Sequence, residues 1–317
     1  MKKIILFLAA VFCLGLTLKA EKAYKPSATY QFATRDTCVL YMDVYNPTPG
    51  SDLTFEGHQK PTILFVFGGG FIGGERSAER YLSWFKLLND NGYRLVTIDY
   101  RLGLKGIALK FNLFHLLDSA KATKHAVDLG VEDVFSAVNY LCAHAKELGV
   151  DPKNIVLSGS SAGAMISLSS AYEISRKMES TKALPKDFQF AGLISFAGAI
   201  VTDLGKPAYI DEPCPHLLLH GTADETVQYN KTQLGKWGMF GSNVLAGIFR
   251  EKGYNYNIIR YHQHAHDIAD NFVPTWPEQK RFLEINVMKG ERRRVDTWSD
   301  DPTVPSWKAA TLGSLYD

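Results

Sequence analysis

Five residues, Gly159-Ser160-Ser161-Ala162-Gly163, follow the apolar run Ile155-Val156-Leu157 and open a segment with helical periodicity from Ala162 to Lys177. A serine framed by glycines where a strand turns sharply into a helix is the arrangement that presents a hydroxyl as a nucleophile. The turn holds the central residue, Ser161, in a strained conformation that lifts its Oγ outward. Side chains two positions to either side would strike the neighbouring strand and helix, so glycine is wanted at 159 and 163. The Ala162 N–H then lies at a helix N-terminus, where it can donate to a developing oxyanion. A second glycine run, Gly68-Gly69-Gly70, ends another apolar stretch, 61–67, and offers backbone amides with no Cβ in the way. The glycine run alone reads equally well as a flexible turn; with the elbow about 90 residues downstream its amides are expected to complete an oxyanion hole with Ala162.

Such a serine needs a base, and the base needs a carboxylate that holds its tautomer and stabilises the imidazolium. With the nucleophile at a strand-to-helix elbow, the acid and then the histidine are expected further along the chain. The strand-like segment His216–His220 is followed by Gly221-Thr222-Ala223-Asp224-Glu225. Asp224 and Glu225 are adjacent and point opposite ways, and Asp203 and Asp211 lack a preceding strand. After the last strand-like segment, Tyr261-His262-Gln263-His264-Ala265-His266-Asp267 supplies three imidazoles. His262, His264, His266 and Asp267 also read as a metal cluster, but only an extended stretch would gather them, and zinc sites usually draw ligands from separated elements too. Neither a metal nor another cofactor is expected.

The elements that must carry these residues alternate along the chain. Strands are expected at 37–45, 61–67, 95–99, 154–158, 192–196, 216–220 and 257–261, and helices at 78–91, 132–148, 162–177 and 274–288. Short apolar runs separated by amphipathic helices imply an α/β fold, a mostly parallel sheet covered on both faces. The helix at 132–148 is closed by Gly149 and packs Cys142 as a small apolar residue. Residues 102–129 and 229–253 break the alternation. Segments inserted after strand ends sit over the ligand crevice of such sheets, so both are candidate walls or a small lid, with Phe71, Ile72, Trp237, Met239 and Phe240 as candidate pocket residues. One domain is expected over 21–289, with a polar tail at 290–317 whose Arg292-Arg293-Arg294 reads as solvated surface.

These motifs resemble the esterase and lipase group of α/β-hydrolases, near the carboxylesterase, hormone-sensitive-lipase-like and feruloyl-esterase-like families. The resemblance runs from about 37 to 288, through Asp43-Val44-Tyr45-Asn46-Pro47, the glycine run, Ile98-Asp99-Tyr100-Arg101, Gly149-Val150-Asp151-Pro152 and the elbow. It implies a Ser161, Asp224, His266 triad, with His264 and Glu225 as runners-up, and an oxyanion hole from Gly69, Gly70 and Ala162. It also assigns Asp99 and Arg101 to structure, with an Arg101–Asp133 ion pair expected. Phe67 departs from the family, where histidine often precedes the glycines, and so does Ala164, where another glycine is common.

The chain carries 35 Lys and Arg against 33 Asp and Glu, a net charge of +2, too little positive excess to draw it to nucleic acid. Lys2, Lys3, an apolar run over 4–18 and Lys19-Ala20 read as a signal peptide over residues 1–20, so the mature chain, at −1, is expected to be secreted or periplasmic, with no stable membrane anchor. Cys38, Cys142 and Cys214 then remain, an odd set in which only a Cys38–Cys214 pair is left open. The partner expected is a small-molecule or carbohydrate-linked ester. Amide or peptide hydrolysis is the competing activity, and a catalytically silent binding protein is the competing class.

Overall fold

The computed structural model describes residues 24–107 and 116–305. The expected signal peptide at 1–20, the middle of the first insertion and the end of the tail lie outside them. The chain begins with strands β1 (Ala28–Arg35) and β2 (Cys38–Tyr45), a small hairpin of β3 (Thr54–Phe55) and β4 (His58–Gln59), and β5 (Thr62–Val66). Helix α1 (Glu79–Asp90), strand β6 (Arg94–Ile98), helices α2 (Leu116–Ala143) and α3 (Ala145–Leu148), strand β7 (Ile155–Ser160) and helix α4 (Ala162–Arg176) follow. Next come β8 (Gly192–Phe196), β9 (Ala199–Thr202), β10 (His216–Gly221), β11 (Lys231–Leu234) and β12 (Trp237–Gly241). The described chain closes with α5 (Ser242–Lys252), β13 (Tyr256–Tyr261), a 3₁₀ turn (His266–Asp270), α6 (Trp276–Phe282), a π-helical turn (Leu283–Met288) and β14 (Arg294–Ser299).

Nine strands form the central sheet in the order β1-β2-β6-β5-β7-β8-β10-β13-β14, parallel from β6 to β14 with an antiparallel pair at the β1 edge. Every residue of β5, β7, β8, β10 and β13 is buried. That burial is why they read as continuous apolar runs rather than alternating ones. The order reverses between β6-β5 and β7, and a parallel sheet opens its ligand crevice at such a switch, beyond the carboxyl ends of the strands. The glycine run after β5 and the serine after β7 leave the sheet side by side at that point.

Three expectations change. The first strand is expected at 37–45, yet β1 precedes it and pairs along β2. The expected tail at 290–317 contains β14, paired in parallel with β13 from Arg294 to Ser299. Both are edge strands with one face in solvent, so they carry too little apolar pattern to be seen. Of the three arginines, Arg292 and Arg294 are exposed and Arg293 is half-buried. The helix expected at 132–148 starts at Leu116 and breaks at His144, so the described end of the first insertion is the first turns of α2. Cys38, on the second strand, and Cys214, before the seventh, are free, because five strand spacings of almost 5 Å separate their strands.

Arg101, after β6, donates through its backbone N–H and its guanidinium to Asp133 of α2, and also reaches Glu132 and Asp36. The Asp133 side chain is fully buried. Arg101→Ala would strand that carboxylate, so a loss of about 3–5 kcal/mol is expected from urea unfolding. Lost hydrolysis in a variant of unchanged stability would contradict this structural role.

Candidate active site

Strand β7 ends at Ser160 and α4 begins at Ala162, leaving Ser161 alone to make the turn, at φ 51° and ψ −119°. Such a conformation costs of order 1–3 kcal/mol for a residue with a Cβ. The close packing around it explains both flanking glycines. A Cβ on Gly163 would fall 2.1 Å from the Val66 carbonyl oxygen of β5, and one on Gly159 2.3 Å from that of Gly163. The elbow is therefore wedged between its own helix and the neighbouring strand, as the spacing predicts.

The Ser161 Oγ lies 2.8 Å from His266 Nε2, and His266 Nδ1 lies 2.7 Å from Asp224 Oδ2. Asp224 follows β10 and His266 follows β13, adjacent strands, so the three groups meet above the carboxyl ends of the sheet. A carboxylate only accepts, so Nδ1 carries the hydrogen and the Nε2 lone pair faces the Ser161 hydroxyl. The other oxygen, Oδ1, accepts from the amides of Thr226 and Val227. Burial alone would raise the Asp224 pKa, but hydrogen bonds from His220 and His266 prevail and hold it well below the usual carboxylate range. Asp224 is thus a buried, ionised group able to favour a cation forming on His266.

The other candidates fall elsewhere. Glu225 is exposed, turned away from the buried Asp224. His264 is 2.6 Å from Asp267, and His262 is 2.8 Å from Asp300 at the surface. Among the described residues no three His, Cys, Asp or Glu side chains converge as metal ligands. Gly70 and Ala162 border the same cavity as Ser161, while Gly69, at φ 153°, faces an open cleft toward Arg80. Phe71 does not line the cavity; it is buried in the core against Tyr100, and Phe240 is buried as well. Phe67, in place of the family's histidine, packs against Tyr100 with the rings tilted and their centroids 4.5 Å apart.

Two supports escaped the sequence reading. The Ser160 hydroxyl donates to the Ala269 carbonyl at 2.6 Å, tying the elbow to the turn that carries His266. Asp267 accepts from the Ala265 amide, bracing that turn from within. Both residues are ordinary in composition, and only the contact across more than 100 positions reveals the first.

Beside Ser161 opens a cavity of about 150 Å³, walled by the start of α2, by α4 and by the sheet of β9, β11 and β12. Leu117, Met165, Val201, Leu234, Trp237 and Met239 make its apolar surface, with Thr123, Thr226 and Gln228 among the polar groups. None of the described residues lining it is charged. Trp237 and Met239, both from the second insertion, lie in the cavity wall.

The profile of the carboxylesterase family matches residues 17–187, more than half of the chain, and a profile described as phospholipase/carboxylesterase matches 109–271. Lipase 2 of Moraxella sp. (strain TA144) is 23% identical over 245 residues, covering 73% of this chain and 49% of that protein. The para-nitrobenzyl esterase of Bacillus subtilis (strain 168) is 31% identical over 127 residues, covering 40% of this chain and 23% of that one. The chain spans about half the length, or less, of these curated relatives. The butyrate-bound structure of the thermophilic esterase Est2 from Thermogutta terrifontis superposes with a TM-score of 0.57 at 19% identity, over 83% of this chain and 96% of that one. That likeness establishes the α/β-hydrolase fold.

Proposed function

The chain belongs to the carboxylesterase family, and from that premise we propose that it is an exported serine hydrolase that cleaves carboxylic esters through an acyl-enzyme on Ser161. The observation that carries this reading is the hydrogen-bonded row from Ser161 through His266 to Asp224 beside a cavity whose described lining residues are uncharged. Ser161 Oγ attacks the acyl carbon as His266 Nε2 takes its proton, and Asp224 stabilises the imidazolium. The amides of Ala162 and Gly70, which border the cavity with Ser161, receive the oxyanion. His266 then protonates the departing alcohol, and water, activated by the same imidazole, releases the acid and restores Ser161.

The described residues that line the cavity are uncharged and largely apolar, which suits an ester carrying an alkyl or aryl group. A small-molecule or carbohydrate-linked ester with such a group is the substrate proposed. Export rests on Lys2, Lys3 and the apolar run over residues 4–18. A fluorophosphonate is expected to add one label, at Ser161, and to stop hydrolysis of short aryl esters. The intact mass of the same exported sample is expected to lack residues 1–20. Continued hydrolysis by fully treated enzyme would overturn the mechanism.

Trp237→Ala removes an apolar wall, so kcat/KM for longer acyl groups is expected to fall about ten- to hundredfold, while acetyl esters change little. A series of acyl lengths on one alcohol measures this, and an equal loss at every length would place Trp237 outside the acyl site.

A further inference from the structure

His220, the last histidine of β10, is fully buried and is a second imidazole against Asp224. Its Nε2 is 3.2 Å from Asp224 Oδ2, the same oxygen that accepts from His266, and 3.0 Å from the Val227 carbonyl oxygen. Both neighbours only accept, so Nε2 carries the hydrogen. Nδ1 is 2.8 Å from the Ser242 Oγ at the start of α5. Ser242 is also fully buried, which bars this second Ser-His-Asp row from meeting a substrate. A buried imidazole satisfied on both nitrogens, one of them on the triad carboxylate, is more than core filling requires.

We propose that His220 is a positioning residue for ester hydrolysis. Its Nε2–H fixes Asp224 Oδ2 from one side while the amides of Thr226 and Val227 fix Oδ1. The carboxylate then has one orientation, with Oδ2 toward His266 Nδ1, and Ser242 keeps the His220 ring from turning. A carboxylate held only by its two amides would rotate or shift, and misplacement of the order of 1 Å in such a row costs about a hundredfold in rate. The proposal rests on the reading of Ser161, His266 and Asp224 as the reacting row.

The test exploits where an amide falls in the two isosteric replacements. Glutamine at 220 sets its NH₂ near the place of Nε2, and asparagine sets it near Nδ1, away from Asp224. His220→Gln is expected to keep kcat on a short aryl ester within about threefold, and His220→Asn to lose about ten- to hundredfold, with KM in both within about twofold. In an Asp224→Asn background the His220→Asn loss is expected to shrink below about twofold, since no carboxylate remains to place. Equal losses in the two variants, a loss carried by KM, or losses that multiply in the double variant would overturn the proposal. If His220→Asn fails to fold, Ser242→Ala serves: a loss of a few fold in kcat, absent beside Asp224→Asn, is expected, and unchanged kcat overturns it. Ser161→Ala run in parallel separates the two ideas, because turnover surviving there removes the reacting row itself, whereas the cycle addresses His220 alone.

Discussion

Ser161→Ala is expected to lower kcat on short aryl esters by on the order of a million-fold, the cost of losing the nucleophile of such a row. The size follows from the geometry. The Ser161 Oγ is the one hydroxyl within reach of His266 Nε2 among the described residues, at 2.8 Å. The neighbouring Ser160 hydroxyl is buried and spent on the Ala269 carbonyl, so it cannot take over. Alanine keeps the Cβ that makes φ 51° costly, so the strain at the turn is unchanged and the variant should fold about as well as the parent. Unfolding measurements beside the kinetics therefore separate chemistry from stability, and hydrolysis within tenfold of the parent would sink the proposed mechanism.

Asp224→Asn is expected to cost about ten-thousandfold in kcat with the fold intact. The asparagine matches the carboxylate in size but offers His266 Nδ1 an NH₂ as readily as an oxygen. The proton then sits on Nε2, where it cannot accept from Ser161. Glu225 is exposed and faces away, and Asp267 is engaged by His264 and the Ala265 amide, so neither substitutes. The same variant bears on acid stability. The native pKa of Asp224 is depressed, so its ionisation stabilises the fold above its unfolded value near pH 4, and that contribution is lost as pH falls toward the native value. Unfolding free energies measured below about pH 4 should fall less steeply with acid in Asp224→Asn than in the parent. More than about a hundredth of parental turnover in this variant would mean that another group orients His266.

Arg101 and Trp237 show how differently residues declare themselves. Arg101 was named through the family resemblance, which assigns it to structure, and its ion pair joins it to Asp133 of α2, 32 positions away. Trp237 entered as one of several aromatic residues near glycines, and only the small sheet of β9, β11 and β12 turns it toward Ser161 while Phe71 and Phe240 turn into the core. Edge strands β1 and β14 went unread because half-exposed strands bury too little to leave an apolar pattern.

By itself the sequence determined the elbow at Ser161, the glycine run and the alternation of buried strands with helices, since steric fit at a tight turn and burial periodicity act over a few residues. It narrowed the acid to Asp224 or Glu225 and the base to three histidines. Tertiary structure alone decided that Asp224 and His266 meet Ser161, that Ser160 holds the histidine turn, and that His220 backs the carboxylate. The first two sets of contacts join strands β7, β10 and β13 across 42 to 109 positions, and the order of strands in a sheet is set by the packing of the whole core. His220 and Asp224 are only 4 positions apart, but their meeting depends on how the turn after β10 folds back.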